Sequence, residues 1–65
     1  MCEANVYIKA KDEEDYELLL EAVDKISPTD EGLSIQDIFG RRKTVKAKIK
    51  EMALVDHRIL LEKTE

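Results

Sequence analysis

Sixty-five residues fit one small domain, spanning 1–65, and leave no room for a second core. With 43% apolar and 40% charged side chains and a net charge of −4, the composition is that of a folded, acidic protein rather than a disordered one. One cysteine, Cys2, excludes a disulfide within the chain; one histidine, His57, excludes most metal cages built by a single subunit; and nucleophiles and bases are too few for a catalytic triad, so no enzyme is expected.

No apolar run reaches the roughly 18 residues of a membrane span, and the start lacks a signal-peptide pattern, which predicts a cytoplasmic protein. Domains below about 70–80 residues usually need a disulfide, a metal or a partner subunit to be stable. With the disulfide excluded, a homodimer, a metal, or both are expected.

In chain order, Ala4-Asn5-Val6-Tyr7-Ile8-Lys9 alternates apolar and polar and predicts a half-buried strand with Val6 and Ile8 on one face. Lys11–Asp15 is a charged turn. Over 16–26, Tyr16, Leu19, Leu20, Val23 and Ile26 fit helical spacing, and the preceding acids suit a helix N-terminus, so local pattern favours a helix. Ser27–Gly32 reads as a turn, with Pro28 ending any ladder. Leu33–Ile38 begins a strand, and Phe39-Gly40-Arg41-Arg42 is a hairpin-like break. Lys43–Lys50 is the clearest strand, with Val45, Ala47 and Ile49 inward and Lys46, Lys48 and Lys50 toward water. Asp56-His57 occupies a turn before a last strand at 58–62. Short strands divided by turns at this spacing predict a small all-β barrel or sandwich.

Two segments, 18–20 and 59–61, are apolar on both faces. A sheet one layer thick buries one face only, which leaves Leu19 and Leu60 for a dimer interface or for a strand end curling over the barrel mouth. Charge is divided too. Residues 1–38 carry eleven acidic and three basic side chains, net −8; residues 39–65 carry four acidic and eight basic, net +4.

Cys2 is the most informative residue for chemistry. Methionine is commonly trimmed before a small side chain, which would leave an amine and a thiol on one residue, able to close a five-membered chelate. With Met1 retained, a deprotonated backbone amide takes the amine's place. A planar nitrogen–sulfur donor set selects Ni(II) or Cu(II), and a two-fold dimer bringing two amino ends together would supply four donors on its axis. The competing reading is a small side chain buried at the head of the first strand. His57, after Asp56, is either a solvated turn residue or an imidazole donor. Arg41, Arg42, Lys43, Lys46, Lys48 and Lys50 form a basic stretch able to track phosphates. Only Tyr7, Tyr16 and Phe39 could stack on bases, however, and outward lysines also block unwanted strand pairing. The acidic run at 12–15 lacks the fixed geometry of a calcium loop.

The opening Met1-Cys2-Glu3-Ala4-Asn5-Val6-Tyr7, the middle Val23-Asp24-Lys25-Ile26, Asp37-Ile38-Phe39-Gly40 with Lys43-Thr44-Val45-Lys46-Ala47, and the close Leu54–Glu62 resemble the CooT family over nearly the whole chain. The Met-Cys start is the most specific element. The resemblance implies a small SH3-like or Sm-like β-barrel of about five short strands that forms a homodimer. It implies an accessory role in delivering nickel to carbon monoxide dehydrogenase. It also implies Ni(II) binding that depends on Cys2, with the backbone nitrogen of Cys2 or Glu3 and His57 as further candidate donors. In place of a helix at 16–26 it implies two short strand pieces around Glu21-Ala22. Members of the family have been labelled predicted RNA-binding proteins, so an RNA-binding module using 41–50 is the alternative.

Overall fold

Alternation of apolar and polar residues sets the first strand of the computed structural model, which describes residues 3–64. In β1 (Ala4–Lys9), Val6 and Ile8 are buried and Tyr7 takes the opposite face. The remaining strands are β2 (Glu17–Thr29), β3 (Gly32–Asp37), β4 (Arg42–Val45), β5 (Ala47–Ala53) and β6 (Arg58–Lys63), and among the described residues there is no helix. All six form one sheet in the order β4-β3-β2-β1-β6-β5; the β1–β6 pair is parallel and the others antiparallel. β3 approaches β5 across the interior, so the sheet curls around a core of Val6, Ile8, Leu20, Val23, Ile35, Ala47, Ile59 and Leu61.

The all-β expectation holds, but the expected closed barrel of about five strands does not. The sheet has six strands, and its hydrogen-bonded order is open, with β4 and β5 at opposite edges. The stretch 43–50 is two strands rather than one, because the chain bends sharply at Lys46 and passes from one edge of the sheet to the other. The corner is pinned from two sides. Thr64 donates to the Lys46 carbonyl from its backbone N–H (3.0 Å) and its hydroxyl (3.2 Å). Gly32 lies so close beneath that a Cβ there would stand 2.1 Å from the Val45 carbonyl oxygen. Past the corner the strand no longer faces the core squarely. Ala47 is buried, but Ile49, expected inward, is 42% exposed.

The helix favoured locally at 16–26 is also corrected: these residues lie on β2 and the segment leading into it. The register against β1 slips twice, with Val6 opposite Leu20 but Tyr7 opposite Leu18, and with Ala4 opposite Val23. β2 therefore carries extra residues at Leu19 and near Ala22, and Ala22 takes a left-handed φ of 53°. Each extra residue re-aims the strand, so that Leu20 and Val23, three apart, both face the core. The strand character that the family resemblance implied is present, but as one continuous strand bulged near Ala22 rather than as two short pieces. Pro28, expected to end the ladder, sits within β2 opposite Leu33, and the turn is confined to Asp30-Glu31. β1 begins only opposite Val23, so at Pro28 no second neighbour needs an N–H.

Candidate functional site

One end of the sheet holds His57 and, in the neighbouring β3–β4 connection, the start of the basic stretch at Arg41. A line of hydrogen bonds crosses it: Ile38 N–H donates to the Ala22 carbonyl (2.9 Å), Ala22 N–H to Asn5 Oδ1 (3.3 Å), and Asn5 N–H to the His57 carbonyl (2.9 Å). The β3–β4 turn, the β2 bulge, the start of β1 and the β5–β6 turn are thereby held side by side.

His57 closes the β5–β6 turn with φ 54°, its N–H donating to the Leu54 carbonyl (3.2 Å). Its ring Nδ1 lies 3.0 Å from the Glu3 carbonyl oxygen. A carbonyl only accepts, so Nδ1 is the donor in this contact. His57 is an exposed turn residue, one of its two expected readings, and its ring also meets the residue that follows Cys2 in the chain. Cys2 itself lies outside the described residues, so the expected metal ligand and its backbone nitrogen are not placed. Among the described residues, no group of three His, Asp or Glu side chains is disposed to hold a metal ion.

Large apolar side chains stand exposed on both turns flanking this end. Ile38 and Phe39 lie on the β3–β4 turn, Leu54 and Val55 on the β5–β6 turn; Phe39 is 75% and Val55 94% exposed. The expected interface pair fares differently. Leu19 is half-buried against the core, and Leu60 is half-buried on the outer face, opposite Tyr7, which is itself opposite the exposed Leu18.

The basic stretch is not one face. Arg41, Arg42 and Lys43 line a groove of about 580 Å³ with Leu18, Leu19, Glu21 and Phe39, and Lys43 Nζ reaches the Leu19 carbonyl (3.4 Å). Lys46 is at the corner, and Lys48 and Lys50 are beyond it on β5, where Lys48 stands 4.0 Å from Glu62. Glu62 is held chiefly by Lys9, whose Nζ is 3.1 Å from Oε2 and also donates to the Glu13 carbonyl. That hydrogen bond, outweighing partial burial and joined by the charges of Lys9, Lys50 and Lys48, keeps the Glu62 carboxyl below its ordinary pKa of 4.5.

Asp37 went unrecognised as a special residue in the sequence. It is 1% exposed and accepts from the N–H groups of Phe39 (2.9 Å) and Arg41 (2.8 Å) and from the Arg41 guanidinium. Burial pushes its carboxyl up, but these hydrogen bonds and the arginine charge prevail and hold it below 3.8. The signal was present in Asp37-Ile38-Phe39-Gly40: an aspartate opening a turn that contains glycine is the pattern of a side chain capping its own turn. Asp37 fixes the turn that displays Phe39, over whose ring the Arg41 guanidinium carbon lies 5.7 Å from the centroid.

Residues 1–62 match the family model described as CO dehydrogenase accessory protein CooT. A crystal structure described as a CooT from Carboxydothermus hydrogenoformans is 55% identical, with a TM-score of 0.89 over 98% of this chain and 100% of that one. No curated protein is similar enough to match.

Proposed function

This chain belongs to the CooT family of CO dehydrogenase accessory proteins, and from that premise we propose that it is a cytoplasmic nickel carrier that works as a homodimer. Ni(II) is the cargo. Each subunit contributes the Cys2 thiolate and a backbone nitrogen of Cys2 or Glu3, and two subunits complete a square-planar four-donor site on the two-fold axis. The ion passes from there to a nickel-dependent client such as CO dehydrogenase; the protein itself catalyses no reaction.

The observation that carries this reading is the anchoring of Glu3 at an end of the sheet ringed by exposed Ile38, Phe39, Leu54 and Val55. A second copy packed against that end would cover these side chains and bring the two amino ends together. On this reading the dimer contact lies at the turns; the alternative is the expected pair, Leu19, which packs on the core, and Leu60 on the outer face. The donor set fits the cargo: thiolate and amide nitrogen favour a planar d⁸ ion, and the described carboxylates and imidazole make no closed site for a harder one. Both donors lose protons on binding, so affinity falls on acidification.

An RNA-binding reading has less to stand on, because the cations it needs are divided by the corner at Lys46 and Lys48 faces Glu62. Titration with Ni(II), followed by thiolate-to-metal charge-transfer absorption, tests the proposal. Wild type is expected to saturate at one Ni(II) per two chains and Cys2→Ala to show no band; unchanged binding by Cys2→Ala would refute it.

A further inference from the structure

We infer that the groove between β2 and β4 is a docking site for an extended acidic segment of another protein, which joins the sheet as a strand along an unpaired edge of β2. The basis is a length of strand edge without a neighbour and the cations that face it. β2 changes partners along its length: Glu17, Leu18 and Leu20 lie opposite β1, whereas pairing with β3 starts only at Val23. The first backbone bond on the β3 side is at Ala22, whose carbonyl accepts from Ile38 N–H at 2.9 Å. From Glu17 to Glu21, then, that side of β2 meets no strand among the described residues. The groove of about 580 Å³ opens there, with Leu18, Leu19 and Glu21 along one wall and Phe39, Arg42 and Lys43 along the other.

An unpaired edge is a template for another strand, because its N–H and carbonyl groups still need partners. One of them already has a substitute: Lys43 Nζ crosses the groove to the Leu19 carbonyl at 3.4 Å. That long, exposed contact shows a main-chain acceptor of β2 turned into the groove. A backbone N–H from an added strand would bond it at shorter range and release the ammonium to a carboxylate on the same segment. The free edge from Glu17 to Glu21 matches an extended segment of about five residues. Charge selects its composition. Arg41 is engaged by Asp37, which leaves the exposed Arg42 and Lys43 facing Glu21 in a chain of net charge −4. Two cations against one carboxylate favour an acidic occupant, and Leu18, 45% exposed, offers it an apolar contact. RNA would be drawn by the same cations, but a sugar–phosphate chain cannot continue a β-ladder. The groove shares only Phe39 with the turns proposed for the dimer contact and uses no residue of the amino end, so it stands apart from the nickel reading.

A display library of random peptides about ten residues long, panned on the whole protein, tests the proposal. Selected peptides are then synthesised and titrated into isotope-labelled protein, followed by amide NMR. Acidic peptides are expected to be enriched, to shift the amides of 17–21 and Lys43, and to slow hydrogen exchange within 17–21. Arg42→Gln combined with Lys43→Gln is expected to weaken binding about tenfold or more. Lys48→Gln combined with Lys50→Gln removes the same charge from β5 and is expected to change it less than about twofold. Methylating one alternate set of peptide nitrogens should abolish binding and methylating the other should spare it, since only one edge of the added strand faces β2. Selection of no acidic peptide that shifts 17–21 would overturn the inference. So would equal losses in the two double variants, or binding that survives both methylation patterns, which would mark simple charge attraction. Displacement of the peptide by oligouridine at lower concentration than the peptide itself needs would overturn it too, and would make the groove an RNA face.

Discussion

Asp37 shows how one buried charge organises a working surface. Its carboxylate is removed from water yet stays ionised, because two backbone N–H groups and the Arg41 guanidinium converge on it. Replacing it with Ala strands those donors. Asp37→Ala is expected to lower the thermal midpoint by several degrees at pH 7 and to loosen the turn carrying Phe39. Its folded pKa lies below 3.8, so the stability it contributes is fully present above 3.8 and is lost as pH falls through the lower folded value. The gap in thermal midpoint between wild type and Asp37→Asn should therefore narrow below that pH. Gly32 makes a second demand of a single residue. With φ 145° and the Val45 carbonyl 2.1 Å from where a Cβ would stand, Gly32→Ala must push main chain apart. A cost of about 3 kcal/mol is expected in urea unfolding, from the backbone conformation and the overlap together.

At the scale of elements, β1 was legible in the sequence because nothing interrupts its alternation, with Val6 and Ile8 buried; β6 was legible as a strand although Leu60 makes it apolar on both faces, and Ile59 and Leu61 are its buried residues. β2 was not. Its extra residues near Ala22 and, against β3, at Asp24 convert a spacing of two into a spacing of three, so Leu20, Val23 and Ile26 imitate one face of a helix while lying on a bulged strand. The corner at Lys46 was hidden for the opposite reason. Val45 and Ala47 both turn inward across it, so alternation runs on through a bend that separates the two edges of the sheet. The bulge is testable at Ala22, whose φ of 53° disfavours any side chain. Ala22→Gly is expected to raise the urea midpoint, with a gain of about 0.5–1 kcal/mol, and Ala22→Val to lower it by at least as much. Equal stability of all three would mean that β2 does not depend on this kink.

For the whole molecule, the division of charge in the sequence becomes a division in space only in part. Arg41, Arg42 and Lys43 share one groove, but Lys48 and Lys50 surround Glu62 on the far side of the corner. A basic stripe inferred from sequence alone could not foresee this, because it presumes that 41–50 is straight. The Met-Cys opening and the Asp-His pair marked the candidate residues in the sequence, whereas the contact joining His57 to Glu3 spans nearly the full chain and appears only on folding. Light scattering is expected to give close to twice the 7.5 kDa chain mass. Phe39→Ser and Val55→Ser should shift the protein toward monomer, by about tenfold each in dissociation constant if these side chains are central to the contact. Dissociation by Leu60→Ser alone would move the contact to the outer face.

The central claim is that two Cys2 sulfurs, one from each subunit, share a planar nickel ion, and X-ray absorption at the nickel edge of the loaded dimer reads that most directly. The account predicts the edge feature of a square-planar ion with two sulfur and two nitrogen neighbours, at one nickel per two chains. A six-coordinate shell of oxygen and nitrogen without sulfur would contradict it.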